Sequence, residues 1–193
     1  MYSGIDIGER PKGHLDIMGN TQQPWFHIDA VNFLFSKLDK SHSGFEFGSG
    51  SSTFWFSKFT DKIISVESCK EWYELIENKI KETQVKNINY IYSSCEMLEI
   101  WGYDKERGGD YEKYAGTILD FKNNFDYISI DGLARSMCIC NSINKLNPGG
   151  YLIIDNSERP AYWEAISTIP ENWERFIFKN PVDQTSIYRK PII

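Results

Sequence analysis

Short runs of β-branched and aromatic residues alternate with helical stretches along this sequence, and the spacing of the last two runs narrows the open topologies sharply. Gly44-Phe45-Glu46-Phe47, Lys62-Ile63-Ile64-Ser65-Val66, Ile88 to Tyr92, Phe125 to Ile130 and Tyr151 to Ile154 each read as a strand. Helical spacing fills the gaps between them. Ala30, Val31, Phe33, Leu34 and Leu38 share a face after Asp29, and a second helix starts at Phe54 with Ser51-Ser52-Thr53 as its cap. Trp72, Tyr73, Ile76 and Ile80 form the buried face of a helix over Lys70 to Gln84. Further helices are expected near Glu96 to Trp101, over Ser136 to Leu146 (stopped by Asn147-Pro148-Gly149-Gly150) and over Ala161 to Ile169. Glu174 to Lys179 and Ser186 to Arg189 then follow as strands with only Asn180-Pro181-Val182-Asp183 and their neighbours between them. A parallel crossover needs a dozen or more residues, so the last strand must be antiparallel. The expected fold is α/β: a three-layer sandwich with a mostly parallel sheet, helices on both faces and an antiparallel last strand. In such sheets ligands bind beyond the carboxyl ends of the strands, so the residues just after each strand carry the functional information.

Composition excludes several alternatives. With 193 residues the chain suits one domain, 41% of it is hydrophobic, and 12 Phe, 11 Tyr and 6 Trp supply a large core, which rules out wholesale disorder. Residues 1–24, broken by Gly4, Gly8, Pro11, Gly13, Gly19 and Pro24, read as an irregular leader, and residues 25–193 as a single domain. A net charge of −6 opposes binding to a phosphate backbone, so nucleic acid is not an expected partner. No apolar stretch approaches the roughly 18–20 residues needed to span a bilayer, and Met1 to His14 shows no signal-peptide pattern. Cys69, Cys95, Cys138 and Cys140 have no metal-ligand or disulfide-framework spacing and read as reduced thiols of a cytoplasmic protein.

Two strand ends stand out. After the first strand comes Gly48-Ser49-Gly50-Ser51-Ser52-Thr53, whose glycines allow a sharp turn and let a ligand lie against bare backbone. The third glycine of a dinucleotide fingerprint would fall at Thr53 and is missing. After the second strand comes Glu67, a carboxylate placed to accept both hydroxyls of an adenosine ribose.

With these motifs the chain resembles the class I S-adenosylmethionine-dependent methyltransferases. The matching residues are Phe45 to Thr53, Ser65-Val66-Glu67, Tyr127 to Gly132 and Leu146 to Asn156, and the likeness runs from about Trp25 to Arg189. The resemblance implies a seven-stranded sheet with the cofactor over the first two strands. It implies that Glu46 faces the methionine amino group, that Gly48, Ser49, Gly50, Ser51 and Ser52 pass beside the sulfonium and ribose, and that Glu67 and Ser68 hold the ribose. Asp131 would share the cofactor rim. Ser93-Ser94-Cys95-Glu96 is the expected adenine region. It also implies methyl transfer to a small, polar acceptor, with O-methylation favoured by the carboxylate-rich rim and by the lack of an aromatic-proline tetrapeptide after the fourth strand. Catalysis would fall to Asp131 and Asp155, either as base or through a divalent metal held with Asn156. The metal-dependent O-methyltransferases usually carry a lysine shortly after the first aspartate, where this chain has Gly132-Leu133-Ala134-Arg135.

Acceptor binding is expected from Trp25, Arg135, Asn156 and Arg159, the two arginines offering bidentate contacts to an anion. His27 is a weaker candidate base, and the polar insertion Gly102 to Tyr111, with Tyr114 just beyond, sits where a lid would. Trp163, Trp173 and Tyr188 suit a homodimer surface or the core equally. Two other functions remain open at this stage: an NAD-dependent oxidoreductase and a catalytically silent cofactor-binding protein.

Overall fold

The computed structural model describes residues 23–94, 111–181 and 183–192. The strands are β1 (Ser43–Phe47), β2 (Lys62–Glu67), β3 (Ile88–Tyr92), β4 (Phe125–Ile130), β5 (Leu146–Asp155), β6 (Glu174–Lys179) and β7 (Gln184–Arg189). The helices are α1 (Ile28–Phe35), α2 (Ser51–Phe59), α3 (Lys70–Thr83), α4 (Tyr111–Gly116), α5 (Arg135–Ser142) and α6 (Trp163–Ser167). All seven strands join one sheet in the order β3-β2-β1-β4-β5-β7-β6. β7 runs antiparallel to both β5 and β6, and the other pairings are parallel. The short β6–β7 connection therefore sets the topology as its length requires.

Alternation along the strands sorts the side chains into two cores. Phe45, Phe47, Ile64, Val66, Ile128, Ile130, Leu152 and Ile154 face α4, α5 and α6, meeting Tyr114, Ile139 and Ala165. On the other face Ile63, Tyr127, Ile153 and Ile187 meet Phe26, Val31 and Leu34 at α1 and Trp55 and Phe56 at α2. That second face also carries Glu46 and Ser65, both fully buried, and Glu67, nearly so. Among the described residues no helix is long and apolar enough to cross a membrane.

Several elements depart from their sequence-based bounds for local reasons. Ser51, Ser52 and Thr53 form the first turn of α2, and Gly50 is its cap. Strand pairing of β5 begins at Leu146, opposite Phe125, and resumes at Tyr151 opposite Tyr127, so Asn147-Pro148-Gly149-Gly150 is a bulge within the strand. Pro160 opens a 3₁₀ turn over Pro160–Tyr162, which leaves α6 only five residues. The helix α4 was not expected: Tyr111, Tyr114 and Ala115 are buried, so this part of the insertion is core. Trp173 and Tyr188 are likewise buried, whereas Trp163 is exposed. The leader to Gln22, the helix expected near Glu96 to Trp101, Cys95, Glu96 and the insertion through Asp110 lie outside the described residues. The described cysteines Cys69, Cys138 and Cys140 are unbridged.

Candidate functional site

The sheet changes direction of growth at β1, with β2 on one side and β4 on the other, and α/β sheets open a ligand crevice at such a point. The backbone leaves β1 through Gly48, at φ +85°. A Cβ on Gly48 would lie 2.6 Å from both Cα and N of Gly132, just past β4. Only glycine tolerates that conformation and that approach together. Backbone hydrogen bonds from Gly48 to Val66 and from Asp131 to Phe47, both 2.9 Å, fix the three strand tips.

A cavity of about 480 Å³ opens above these tips. Ser49, Gly50, Ser51, Ser52 and Trp72 form one wall, and Asp131, Arg135, Asp155 and Asn156 form the other. Trp25 and Asp183 complete it. Its size lies within the range of small-ligand sites.

Glu46 lies under the first wall, fully buried. Its carboxylate accepts hydrogen bonds from the hydroxyls of Ser52, Thr53 and Ser65. Burial pushes its pKa up to about 7, although the three hydroxyls favour the charged form. Glu46 is therefore not on the cavity wall, because Ser52 and Thr53 stand over its carboxylate. Any approach to a ligand amino group, the place expected of Glu46, runs through these hydroxyls or a water.

Glu67 reaches the cavity through Ser49. Its Oε2 accepts from Ser49 N at 3.0 Å and Ser49 Oγ at 2.7 Å. Its Oε1 accepts from Ser68 N at 2.8 Å and Cys69 N at 2.9 Å. Trp72 Nε1 donates to Ser49 O at 2.9 Å and holds the turn from the other side.

On the opposite wall Arg135 binds the ends of β4 and β5 together. Its Nε donates to Gly132 O, one terminal nitrogen to Asp155 O and Asn156 Oδ1, and the other to Asp131 O and Oδ1. All five guanidinium N–H groups are thus committed within the fold. Arg135, expected to grip an acceptor anion, spends these N–H groups on the ends of β4 and β5 in this structure. Arg159 is exposed and off the cavity wall, near enough for its charge to favour the Asp131 carboxylate.

Asp131 and Asp155 share this wall, close enough for each carboxyl to act on the other. Burial raises both carboxyls, and the neighbouring Asp131 charge raises Asp155 further, while Arg135 draws Asp131 back toward ionisation. The pair thus holds on to a proton more readily than exposed aspartates do, and Asp131, its side chain 29% exposed, lies on the cavity wall. Thr185 Oγ1 donates to Asp155 Oδ1 at 2.8 Å and accepts from His27 N at 2.9 Å. His27 itself caps α1, its Nδ1 accepting from Asp29 N, so that ring nitrogen has a structural task instead of the proposed base role.

The cavity thus brings together Trp25, Ser49, Gly50, Ser51, Ser52, Asp131, Arg135, Asp155 and Asn156, while Glu46, Gly48, Glu67, Ser68 and Arg159 stand off its wall. Trp72 and Asp183 were missed as lining residues. Trp72 carried only a helix-face signal, and Asp183 only a turn signal.

The chain is similar to a Streptococcus mutans protein with a provisional methyltransferase assignment, solved in complex with SAH: TM-score 0.65, 15% identity, covering 85% of this chain and 97% of that one. The fold is that of the class I methyltransferases. A methyltransferase from Pyrococcus furiosus matches with TM-score 0.57 and 18% identity over 99% of this chain and 91% of its own. An rRNA methylase from Streptococcus thermophilus matches with TM-score 0.58 and 12% identity, covering 83% and 93%. No protein-family model and no curated protein matches the chain.

The methyltransferase fold implies an adenosine cofactor, and the residues fit one. A Cβ on Gly50 would meet nothing within 4 Å, which leaves bare backbone facing the cavity. Beside it Ser51 Oγ is buried without a hydrogen-bond partner among the described residues. Arg135 opposes a divalent metal here: its guanidinium donates to Asp131 Oδ1 and Asn156 Oδ1, so an ion on Asp131, Asp155 and Asn156 would meet its positive charge and share its partners. Among the described residues no group of three His, Cys, Asp or Glu side chains comes together to hold an ion.

Proposed function

We propose that the chain is an S-adenosylmethionine-dependent methyltransferase acting on a small polar acceptor by O-methylation. The observation carrying this reading is the cavity at the sheet's switch point, with the Gly48–Gly50 turn and Glu67 on the cofactor side and the Asp131–Asp155 pair opposite. When bound, the cofactor supplies a methyl group already activated by its positive sulfur. The chain's tasks are then alignment, exclusion of water and management of one proton.

Glu67 and Ser68 hold the ribose side, and the bare backbone from Gly48 to Gly50 lets the sulfur flank lie close. Gly48 acts through the turn it makes and Glu46 through the hydroxyls of Ser52 and Thr53. Across the cavity Asp131 accepts the hydroxyl proton of the acceptor, and its raised pKa makes it a better base than an exposed aspartate. Arg135 orients Asp131, and the Asp155 carboxyl beside it helps to hold the proton. Trp25, 44% exposed on the cavity wall, offers a face for the acceptor, with Asn156 beside it and Arg159 at the rim. The aspartates on this wall disfavour a polyphosphate backbone, so a small molecule is preferred to RNA.

The test is incubation with methyl-labelled cofactor and a pool of small metabolites, with and without EDTA, beside a parallel incubation with RNA. Label in a low-mass product, unchanged by EDTA, is expected. Label in RNA alone overturns the acceptor assignment, and an unlabelled pool despite tight cofactor binding overturns the enzymatic reading.

A further inference from the structure

Tyr90 on β3 stands off the cavity wall, yet its hydroxyl lies 2.7 Å from Ser49 Oγ. Ser49 Oγ spends its single proton on Glu67 Oε2, so Tyr90 must be the donor in the Tyr90–Ser49 bond. Its ring is held by Tyr73, stacked at 4.6 Å with an interplanar angle of 13°. Burial, reinforced by the charges of Glu67 and Glu46, pushes the phenol well above its ordinary range, so it stays a donor. The result is a directed chain, Tyr90 to Ser49 to Glu67.

A carboxylate offers about four acceptor positions, and those of Glu67 are all taken, by Ser49 N, Ser49 Oγ, Ser68 N and Cys69 N. A ribose diol finds no vacant acceptor there unless a donor leaves. Three of the four donors are backbone amides fixed by the turn. Only Ser49 Oγ can leave by rotating about one bond.

We infer that Ser49 Oγ is a placeholder for a ribose hydroxyl and that Tyr90 is a second, specificity-determining anchor for that hydroxyl. The incoming group takes the position of Ser49 Oγ and inherits both partners, donating to Glu67 Oε2 and accepting from Tyr90. This rests on the reading of Glu67 as the ribose ligand and adds a residue and a selectivity to it. An analogue lacking that hydroxyl leaves Ser49 Oγ in place between Tyr90 and Glu67, so it forgoes both hydrogen bonds that the full ribose makes.

The test is calorimetric titration of wild type, Tyr90→Phe and Ser49→Ala with S-adenosylhomocysteine and with its 2′-deoxy and 3′-deoxy forms, with thermal melts confirming folding. Wild type is expected to prefer the parent over one deoxy form. Tyr90→Phe is expected to weaken the parent about twofold or more and to leave that deoxy form unchanged, since only the parent exchanges the Ser49 partner of Tyr90 for its own hydroxyl. Ser49→Ala, which removes the competing donor, binds the parent at least as tightly as wild type. Equal weakening of all three ligands by Tyr90→Phe, or no weakening, overturns the inference. So does a clear loss of parent affinity in Ser49→Ala, which decides the matter if Tyr90→Phe fails to fold. If wild type binds none of the three, the methyltransferase reading falls with it.

Discussion

Glu46→Gln isolates the charge buried beneath the strand-tip turn. In the folded protein this carboxyl is fully buried and its pKa stands at about 7, against an ordinary 4.5. Between these two values the folded state holds a proton that the unfolded chain has released. Stability therefore falls as pH rises, by about 1.4 kcal/mol per unit while the full proton difference persists. The contribution is present below about pH 4.5 and lost as pH rises through about 7, a total of about 3 kcal/mol. Glutamine keeps the shape, presents groups the three hydroxyls can bond, and has no proton to lose. Asp131 and Asp155, also raised, tilt the stability of both proteins in the same direction and leave in the difference only the small interaction between Asp131 and Glu46. Urea unfolding at closely spaced pH values across the window gives the two stability curves. Relative to wild type, the variant should gain about 3 kcal/mol from the acid end to the neutral end. A constant difference between the curves would refute the argument, since Glu46 would then titrate alike in both states.

The two loop glycines should respond oppositely to Ala. Gly48→Ala forces a Cβ into the Gly132 backbone at a left-handed φ, so it should cost about 2 kcal/mol or more in unfolding free energy. Gly50→Ala projects into open space, so melting should be unchanged while affinity for S-adenosylhomocysteine drops in a calorimetric titration. Arg135→Gln leaves the Asp131 carboxylate and two strand-end carbonyls without their donor, and urea unfolding should report a loss of about 3 kcal/mol.

Most of the sheet was legible because its strands are short apolar runs bounded by polar turns, as in Lys62–Glu67 and Phe125–Ile130. The β6–β7 hairpin was legible from connection length alone. α4 was not, because six residues between a polar insertion and a 3₁₀ turn carry too little periodicity, and burial of Tyr114 is set by distant strands. At the site, residue positions were legible and commitments were not. Sequence places Arg135 near Asp131 and Asn156, but only coordinates show every guanidinium N–H already used. Likewise Glu46 could be assigned to the end of β1, while the three hydroxyls covering it come from α2 and β2.

The proposed function requires an adenosine cofactor across the tips of β1 and β2 with its ribose on Glu67. Calorimetric titration of wild type and Glu67→Ala with S-adenosylhomocysteine and with NAD tests it most directly. Wild type should bind S-adenosylhomocysteine in preference to NAD, and the variant should lose about 2 kcal/mol of that affinity, the scale of hydrogen bonds to a charged group. Unchanged S-adenosylhomocysteine affinity in Glu67→Ala, or tighter binding of NAD by wild type, would contradict it.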